Sequence, residues 1–284
     1  MRKKLLAGAA ALVLALMAGT PAGAITGGRP DGNGHPYGAL ILVPGYTFCS
    51  GTLIDEDVVL TAGHCTSFWT LDGITEVWVS FDPEASVDPN TWLITGGTWY
   101  RSTEWHTHPG YVDADWPYTP DFGVAILDEE VVGATPALLP TEYVLGGLIG
   151  ASGQTAERFF DVGYGQDGVW FHTPPLYSPP AYPYSGNFEF VRKVAEQRLA
   201  PSSLRTLPPE FLILQNVPSV NHGGGCGGDS GSGIYAGSVP DTLVAVHIGG
   251  YRLGYNNELC GRRPSWNVRL DLPYVLEWLA PYVD

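Results

Sequence analysis

The chain has 284 residues, of which 44% are apolar and 15% charged, so it can bury a large core in one domain or in two. Its formal net charge of −15 argues against binding to nucleic acid or to anionic membranes. Glycine (37), proline (24), tyrosine (15) and tryptophan (9) are abundant. This composition favours short strands joined by turns over a helical fold.

Residues 1–24 have the features of an export signal. Basic residues at positions 2–4 precede an apolar run from Leu5 to about Met17, and the small residues Ala22-Gly23-Ala24 form an A-x-A cleavage site. A membrane anchor is the less favoured alternative, because the apolar run is too short to span a bilayer comfortably. We therefore predict a signal peptide over 1–24 and a secreted, extracellular chain that begins at Ile25.

The rest of the sequence predicts two series of strands that are short, rich in β-branched or aromatic residues and bounded by Gly, Asp or Pro. The first series comprises Ala39–Val43, Gly51–Ile54, Val58–Ala62, Glu76–Phe81, Trp92–Thr95 and Val124–Leu127, and the second comprises Phe159–Val162, Phe211–Gln215, Gly233–Tyr235 and Leu243–His247. Residues 131–150 are predicted to connect the series, and the Pro/Tyr-rich residues 166–188 to form a long surface loop. Apolar spacing over Pro273–Leu279 predicts a short terminal helix.

Four cysteines in an exported chain predict two disulfides, because such bonds persist in oxidising compartments. The cysteines are Cys49, Cys65, Cys226 and Cys260, and none of them forms a C-x-x-C pair. A zinc site is therefore disfavoured.

Three separated motifs could supply an acyl-transfer site, which needs a nucleophile, a base, a group that orients the base, and donors for the oxyanion. Thr61–Cys65 (T-A-G-H-C) carries His64, Asp121–Leu127 (D-F-G-V-A-I-L) begins with an acid, and Gly227–Ser232 (G-G-D-S-G-S) surrounds Ser230 with small residues. The other candidates for the acid are Asp113, Asp115 and Asp128. Asp121 is favoured because the apolar residues after it would bury it against His64.

These motifs resemble the T-A-A-H-C, D-I-A-L-L and G-D-S-G-G signatures of chymotrypsin-like serine proteases, and they occur in the same order. Further matches are Phe48–Ile54, His108–Tyr111 and Gly163–Gly165, the last of which stands where the family usually has Gly-Trp-Gly. The resemblance implies an all-β fold of two packed antiparallel barrels with a short C-terminal helix. It implies one trypsin-like peptidase domain over 25–284, with barrels at about 25–135 and about 150–270 and the helix at about 271–282.

The resemblance also implies residue roles. Ser230 would be the nucleophile, His64 the general base and acid, and Asp121 the residue that fixes the tautomer of His64. The backbone N–H groups of Gly228 and Ser230 would form the oxyanion hole.

The resemblance pairs Cys49 with Cys65, and Cys226 with Cys260. Family members have a free N-terminal Ile or Val, usually in I-V-G-G, whose amine pairs with the acid beside the nucleophile. Here Ile25-Thr26-Gly27-Gly28 follows Ala24, so signal cleavage alone would release Ile25 to pair with Asp229. The alternative is that Ile25 simply begins a strand.

Substrate preference is left open by the sequence. Trypsin-like members carry Asp six residues before the nucleophile, but this position is Gly224, so Arg or Lys is not expected as the residue before the cleaved bond (P1). Val246–Gly250, with His247 and Gly250, resembles the I-H-W-G-G segment of glutamyl endopeptidases, as does Asn267–Arg269. An apolar P1 and an acidic P1 bound by His247 both stay possible, and His247 could instead be a merely packed residue.

The expected activity is that of a serine endopeptidase, with polypeptide substrates, no cofactor, no metal ion and a monomeric state. A catalytically silent binding protein on the same scaffold is disfavoured because all three triad residues and Gly228 are present. An esterase of the α/β-hydrolase type is also disfavoured, because it needs the order Ser, acid, His, which is the reverse of the order here.

Overall fold

The computed structural model describes residues 25–149, 157–166, 188–205, 207–215, 223–250 and 264–283. Six antiparallel strands form a closed barrel in its first half, in the order β2-β3-β4-β7-β6-β5. The elements of this half are β1 (Arg29–Pro30), β2 (Gly38–Val43), β3 (Thr47–Leu53), β4 (Val58–Thr61), α1 (Gly63–Leu71), β5 (Val77–Ser80), β6 (Tyr100–Thr107), a 3-10 turn (Asp113–Asp115) and β7 (Gly123–Leu127).

The second half forms another closed ring, in the order β9-β10-β13-β12-β11-β8, and β8 pairs with β9 to complete it. Its elements are α2 (Val144–Ile149), β8 (Phe159–Gly163), β9 (Lys193–Leu199), a 3-10 turn (Ser202–Leu204), β10 (Phe211–Gln215), β11 (Gly233–Ala236), β12 (Val239–Gly250), β13 (Ser265–Arg269), α3 (Pro273–Leu279) and a 3-10 turn (Ala280–Tyr282). Strand β1 adds to β9 at the edge. The predicted all-β fold, with two antiparallel barrels and a short C-terminal helix, is confirmed.

Several individual elements differ from the prediction. Trp92–Thr95 is not a strand; Ile94 makes only an isolated bridge to Val87, and Trp92 has a positive φ of 56° that no strand accommodates. Strands β1, β6, β9 and β13 were not predicted. In β6, buried residues alternate with exposed ones only over the first four positions. Because most of its side chains are polar, the sequence lacks the alternation of apolar and polar residues that predicts a strand.

A buried arginine joins the N-terminal segment to the first barrel. Arg192 has no solvent exposure, and its Nε lies 3.1 Å from Asp31 Oδ2. Its other nitrogens donate to the carbonyl oxygens of Gly32 (2.6 Å), Gly38 (3.0 Å) and Phe81 (2.9 Å). Since a buried cation needs both a counter-charge and satisfied donors, these bonds hold the segment that follows Ile25 against strand β2.

One predicted disulfide joins strand β3 to helix α1. Cys49 and Cys65 are bonded, with their Cα atoms 6.6 Å apart, which confirms this pair. Cys226 is also disulfide-bonded, and its predicted partner, Cys260, lies outside the described residues. No helix in the described part of the chain is long and apolar enough to cross a membrane.

Replacement of both Cys49 and Cys65 by Ala is expected to lower the free energy of unfolding by about 2–4 kcal/mol, because the bond closes a loop of moderate length. Chemical denaturation of the variant against the parent protein measures this loss.

Peptide mapping without reduction should recover Cys49 linked to Cys65 and Cys226 linked to Cys260. Crossed pairs or free thiols in that map would contradict the assignment.

Candidate active site

His64 and Asp121 meet where the end of strand β4 faces the start of β7. His64 is the second residue of α1, and a Cβ on the preceding Gly63 would lie only 2.8 Å from the backbone nitrogen of Phe122. Glycine at position 63 therefore allows the helix to begin against the Asp121–Phe122 backbone. The backbone N–H of His64 donates to Asp121 Oδ1 at 2.7 Å, and its Nδ1 lies 2.8 Å from Asp121 Oδ2.

Asp121 is fully buried and accepts a third hydrogen bond, 2.9 Å long, from Nε1 of Trp116 to Oδ2. A carboxylate only accepts, so the hydrogen on the His64 ring must be on Nδ1, and Nε2 is left with its lone pair. The His64 side chain retains 28% of its exposure. The geometry thus orients an accessible imidazole nitrogen that can take a proton.

Two opposing effects act on the pKa of His64. Burial lowers this pKa, but the charge of Asp121 and its hydrogen bond raise it, with a smaller contribution from the charge of Asp113, and the net shift is upward. The other candidate acids lie elsewhere: Asp128 Oδ2 is 2.7 Å from Arg101 Nε, and Asp113 and Asp115 are exposed in a 3-10 turn. Only Asp121, among these four carboxylates, hydrogen-bonds to His64 in the described structure.

The loop that carries Ser230 docks on strand β3. Ser50 donates from its backbone N–H to Ser230 O at 2.8 Å and from its hydroxyl to Gly228 O at 3.0 Å. Gly228 and Gly231 have φ values of 92° and 88°, which favour glycine. The sequence analysis quoted Ser50 within a motif but assigned it no role. Ser50, which lies in the first barrel, thus binds the carbonyl oxygens of both Gly228 and Ser230.

Two features of the Ser230 loop bear on its chemistry. Within the described residues, the N–H groups of Gly228 and Ser230 donate no hydrogen bond, so no described acceptor competes with an incoming oxygen for them. The Ser230 hydroxyl likewise makes no hydrogen bond to His64 or to any other described group. In free enzymes such bonds are often long and shorten only when substrate binds.

Ile25 lies close to Asp229 through Gly165. Ile25 is fully buried, and its backbone nitrogen donates to Gly165 O at 3.2 Å. The N–H of Gly165 in turn donates to Asp229 Oδ1 at 2.7 Å, and the N–H of Cys226 donates to Asp229 Oδ2 at 2.8 Å. In the full chain the Ile25 nitrogen is a peptide amide, so it carries no charge to pair with the Asp229 carboxylate.

The structure brings His247 against the Gly224–Gly225 segment. A Cβ on Gly225 would overlap Nε2 of His247, and Nδ1 of His247 lies 3.1 Å from Asn267 Oδ1. Asn267 Nδ2 donates to Leu212 O at 2.8 Å, so Oδ1 is the acceptor and the Nδ1 of His247 carries hydrogen. The His247 side chain is therefore oriented with Nε2 toward the segment that contains Gly224.

Burial lowers the pKa of His247, and this effect exceeds the upward shifts from the charge of Asp161 and the bond to Asn267. Asp161 is itself fully buried, and burial raises its pKa. Asp161 Oδ1 accepts a hydrogen bond from Ser232, whereas Oδ2 has no partner among the described residues. Gly250, the third predicted substrate-binding residue, pairs with Ser265 at the end of β12.

The two barrels, with His64 at the start of helix α1 and the Ser230 loop docked on β3, have the architecture of the chymotrypsin-like fold. A family model described as Trypsin matches residues 25–91, a stretch that includes His64 but neither Asp121 nor Ser230. One similar solved structure is titled HL collagenase, with a TM-score of 0.58 and 15% sequence identity over 92% of this chain and 96% of that chain. At that identity the likeness shows the fold alone. No curated protein matches the sequence.

Proposed function

We propose that the chain is a secreted serine endopeptidase that cleaves peptide bonds through an acyl-enzyme. The observation that carries the proposal is the doubly bonded pair of His64 and Asp121, at 2.7 Å and 2.8 Å. The Ser230 loop lies close to this pair, because the Ser230 carbonyl oxygen is 4.0 Å from Sγ of Cys65, the residue after His64. The buried Asp121 fixes both the position of the helix start and the tautomer of the ring. A packed structural histidine does not need an accessible Nε2 lone pair, whereas a general base does.

The proposed mechanism uses only groups of this chain. Nε2 of His64 takes the proton of the Ser230 hydroxyl while Oγ attacks the substrate carbonyl carbon, and the resulting imidazolium is stabilised by Asp121. The oxyanion accepts hydrogen bonds from the N–H groups of Gly228 and Ser230. His64 then returns the proton to the leaving amine, and a water molecule repeats the sequence to hydrolyse the ester.

A fluorophosphonate probe that reacts with activated serines tests this proposal against a silent binding protein on the same scaffold. The mature protein should be labelled on Ser230, and a Ser230→Ala variant should take up no label. Ser238, which is exposed and bonded to Glu157, offers a matched control because Ser238→Ala should be labelled like the parent. A mature protein that resists the probe would favour the binding protein.

For P1 we propose a neutral, apolar side chain. Gly224 supplies no carboxylate at the position where trypsin-like proteases carry Asp, and a cation without a counter-charge in a partly desolvated pocket is costly. The resting His247 is buried, and burial lowers its pKa, which favours the neutral ring. A cleavage profile with a peptide library should therefore show little cleavage after Arg or Lys, and efficient cleavage there would refute the role given to Gly224.

A second candidate is an acidic P1, favoured by the contact between His247 and Gly225. Nδ1 of His247 already donates to Asn267, so protonation of Nε2 would turn the ring into a donor for a substrate carboxylate. That carboxylate would raise the pKa of His247, whereas burial lowers it in the free protein. Cleavage after Glu should thus weaken as the pH rises, relative to cleavage after Leu.

His247→Ala is expected to separate the two candidates. If His247 binds an acidic P1, the variant should lose about 2–5 kcal/mol of transition-state binding for Glu substrates, because one partner of a buried charged hydrogen bond is removed. Leu substrates, measured with the same variant, serve as the internal control. Equal losses in kcat/KM for both substrates would dismiss the acidic candidate.

A further inference from the structure

Trp116 contacts the acid of the proposed triad from a loop that the sequence analysis did not single out. It follows the 3-10 turn Asp113–Asp115 and is half-buried. Its indole Nε1 donates to Asp121 Oδ2 at 2.9 Å, the same oxygen that lies 2.8 Å from His64 Nδ1. The Trp116 indole and the His64 imidazole therefore share one carboxylate oxygen.

The same indole ring reaches the second barrel. A Cβ on Gly249 would lie 3.0 Å from Cζ2 of Trp116, and the ring centroids of Trp116 and Trp266 are 5.5 Å apart. Gly249 pairs with Trp266 at a register shift between β12 and β13 and has a φ of 149°, so glycine is favoured there. Trp116 thus packs on the strand end next to His247 and Gly250, the residues proposed to bind substrate.

We propose that Trp116 is a positioning residue that fixes the Asp121 carboxylate for His64 and couples it to the substrate-binding end of β12. The inference rests on the proposed endopeptidase function, because coupling of this kind matters only if Asp121 and His64 act in catalysis. Among the described residues, three donors hold the buried Asp121: the His64 N–H, the His64 ring and the Trp116 indole. Without the indole, Oδ2 loses one of its two donors, and Asp121 is less constrained when His64 becomes charged.

Trp116→Phe tests the proposal, because it keeps an aromatic ring on Gly249 but removes the N–H group. We expect kcat to fall by about 10- to 100-fold, the effect of losing a hydrogen bond to a charged group, with a smaller change in KM. Trp105→Phe is the matched control: its Nε1 donates to Thr70 Oγ1 at 2.9 Å, away from the triad. That variant should retain kcat within about twofold.

A second measurement does not depend on turnover. We expect NMR titration in a Ser230→Ala background to show that Trp116→Phe raises the pKa of His64 further. Without the indole donor, the negative charge of Asp121 is less neutralised and favours the charged imidazolium more strongly. Asp113 and His247 also act electrostatically in this cluster and are unchanged by the substitution. If the titration shifts but the parent protein has no peptidase activity, the contact between Trp116 and the His64–Asp121 pair is supported. The endopeptidase function is then refuted, and so is a role of Trp116 in it.

Replacement of Trp116 by benzothienylalanine covers the case in which the Phe variant folds poorly. This analogue keeps the shape of the indole and exchanges the N–H for sulfur. A loss of kcat and a shift in the His64 titration equal to those of Trp116→Phe would support the proposal. Unchanged kcat and an unchanged titration with the analogue would overturn it, because the ring would then act by packing alone.

Discussion

Ser230→Ala and His64→Ala are each expected to lower kcat by about 10⁴–10⁶-fold while the fold is retained. The first substitution removes the proposed nucleophile, and the second removes the only imidazole bonded to Asp121 in the described structure. Because the two groups act as one unit, the double variant should lose little more than either single variant. Steady-state kinetics on a peptide substrate, with circular dichroism to verify folding, measures all three.

Matched substitutions show whether such losses are specific. Ser238→Ala removes an exposed hydroxyl bonded to Glu157, and His106→Ala removes a ring bonded to Glu104 at 2.8 Å. Neither residue touches the proposed site, so both variants should keep kcat within about twofold. Near-normal peptidase activity in Ser230→Ala would remove the catalytic assignment, and a large loss in either control would point to a general sensitivity of the fold.

The candidate site could be predicted because its motifs are local. His64, Asp121 and Ser230 each stand in a short run of small or apolar residues, and the structure shows why for two of them. Gly63 permits contact with Phe122, and Gly231 lies so close to Thr61 that a Cβ would overlap it. Such close approaches leave a sequence signal because few other residues fit.

The contributions of Trp116 and Ser50 could not be predicted in this way. Each acts across a turn or between barrels: Trp116 folds back to Asp121 and Ser50 reaches Ser230 and Gly228. These contacts depend on the register of strands far apart in the sequence, and neither residue type is unusual where it stands.

Helix α1, which carries His64, was missed for a local reason. It begins at Gly63 after Ala62, has no side-chain cap and has no acidic residue in its first turn, so the usual start signals are absent. The disulfide to Cys49 and contacts with β6 and β7 hold it in place instead. Tertiary packing here outweighs helix propensity.

An added residue before Ile25 is expected to lower activity by about 10²–10⁴-fold in the mature protein. Ile25 is fully buried, and Gly165 links its nitrogen to Asp229 through bonds of 3.2 Å and 2.7 Å. Signal cleavage would turn that nitrogen into a cation that can pair with the buried Asp229, and loss of one partner of such a pair costs about 3–5 kcal/mol. Asp229 directly precedes Ser230, so its position affects the oxyanion hole.

N-terminal sequencing of the secreted protein should begin at Ile25, and a variant with one Ala inserted between Ala24 and Ile25 tests the effect. Thr26→Val is the matched control, since Thr26 Oγ1 is buried without a partner among the described residues and Val has nearly the same shape as Thr. Pairing with Asp229 should raise the pKa of the amine. The stabilisation is then complete below the amine's unfolded pKa and is lost as the pH rises through the raised value. Full activity of the extended variant, with Ala confirmed at its N-terminus, would rule out Ile25 as an activation switch.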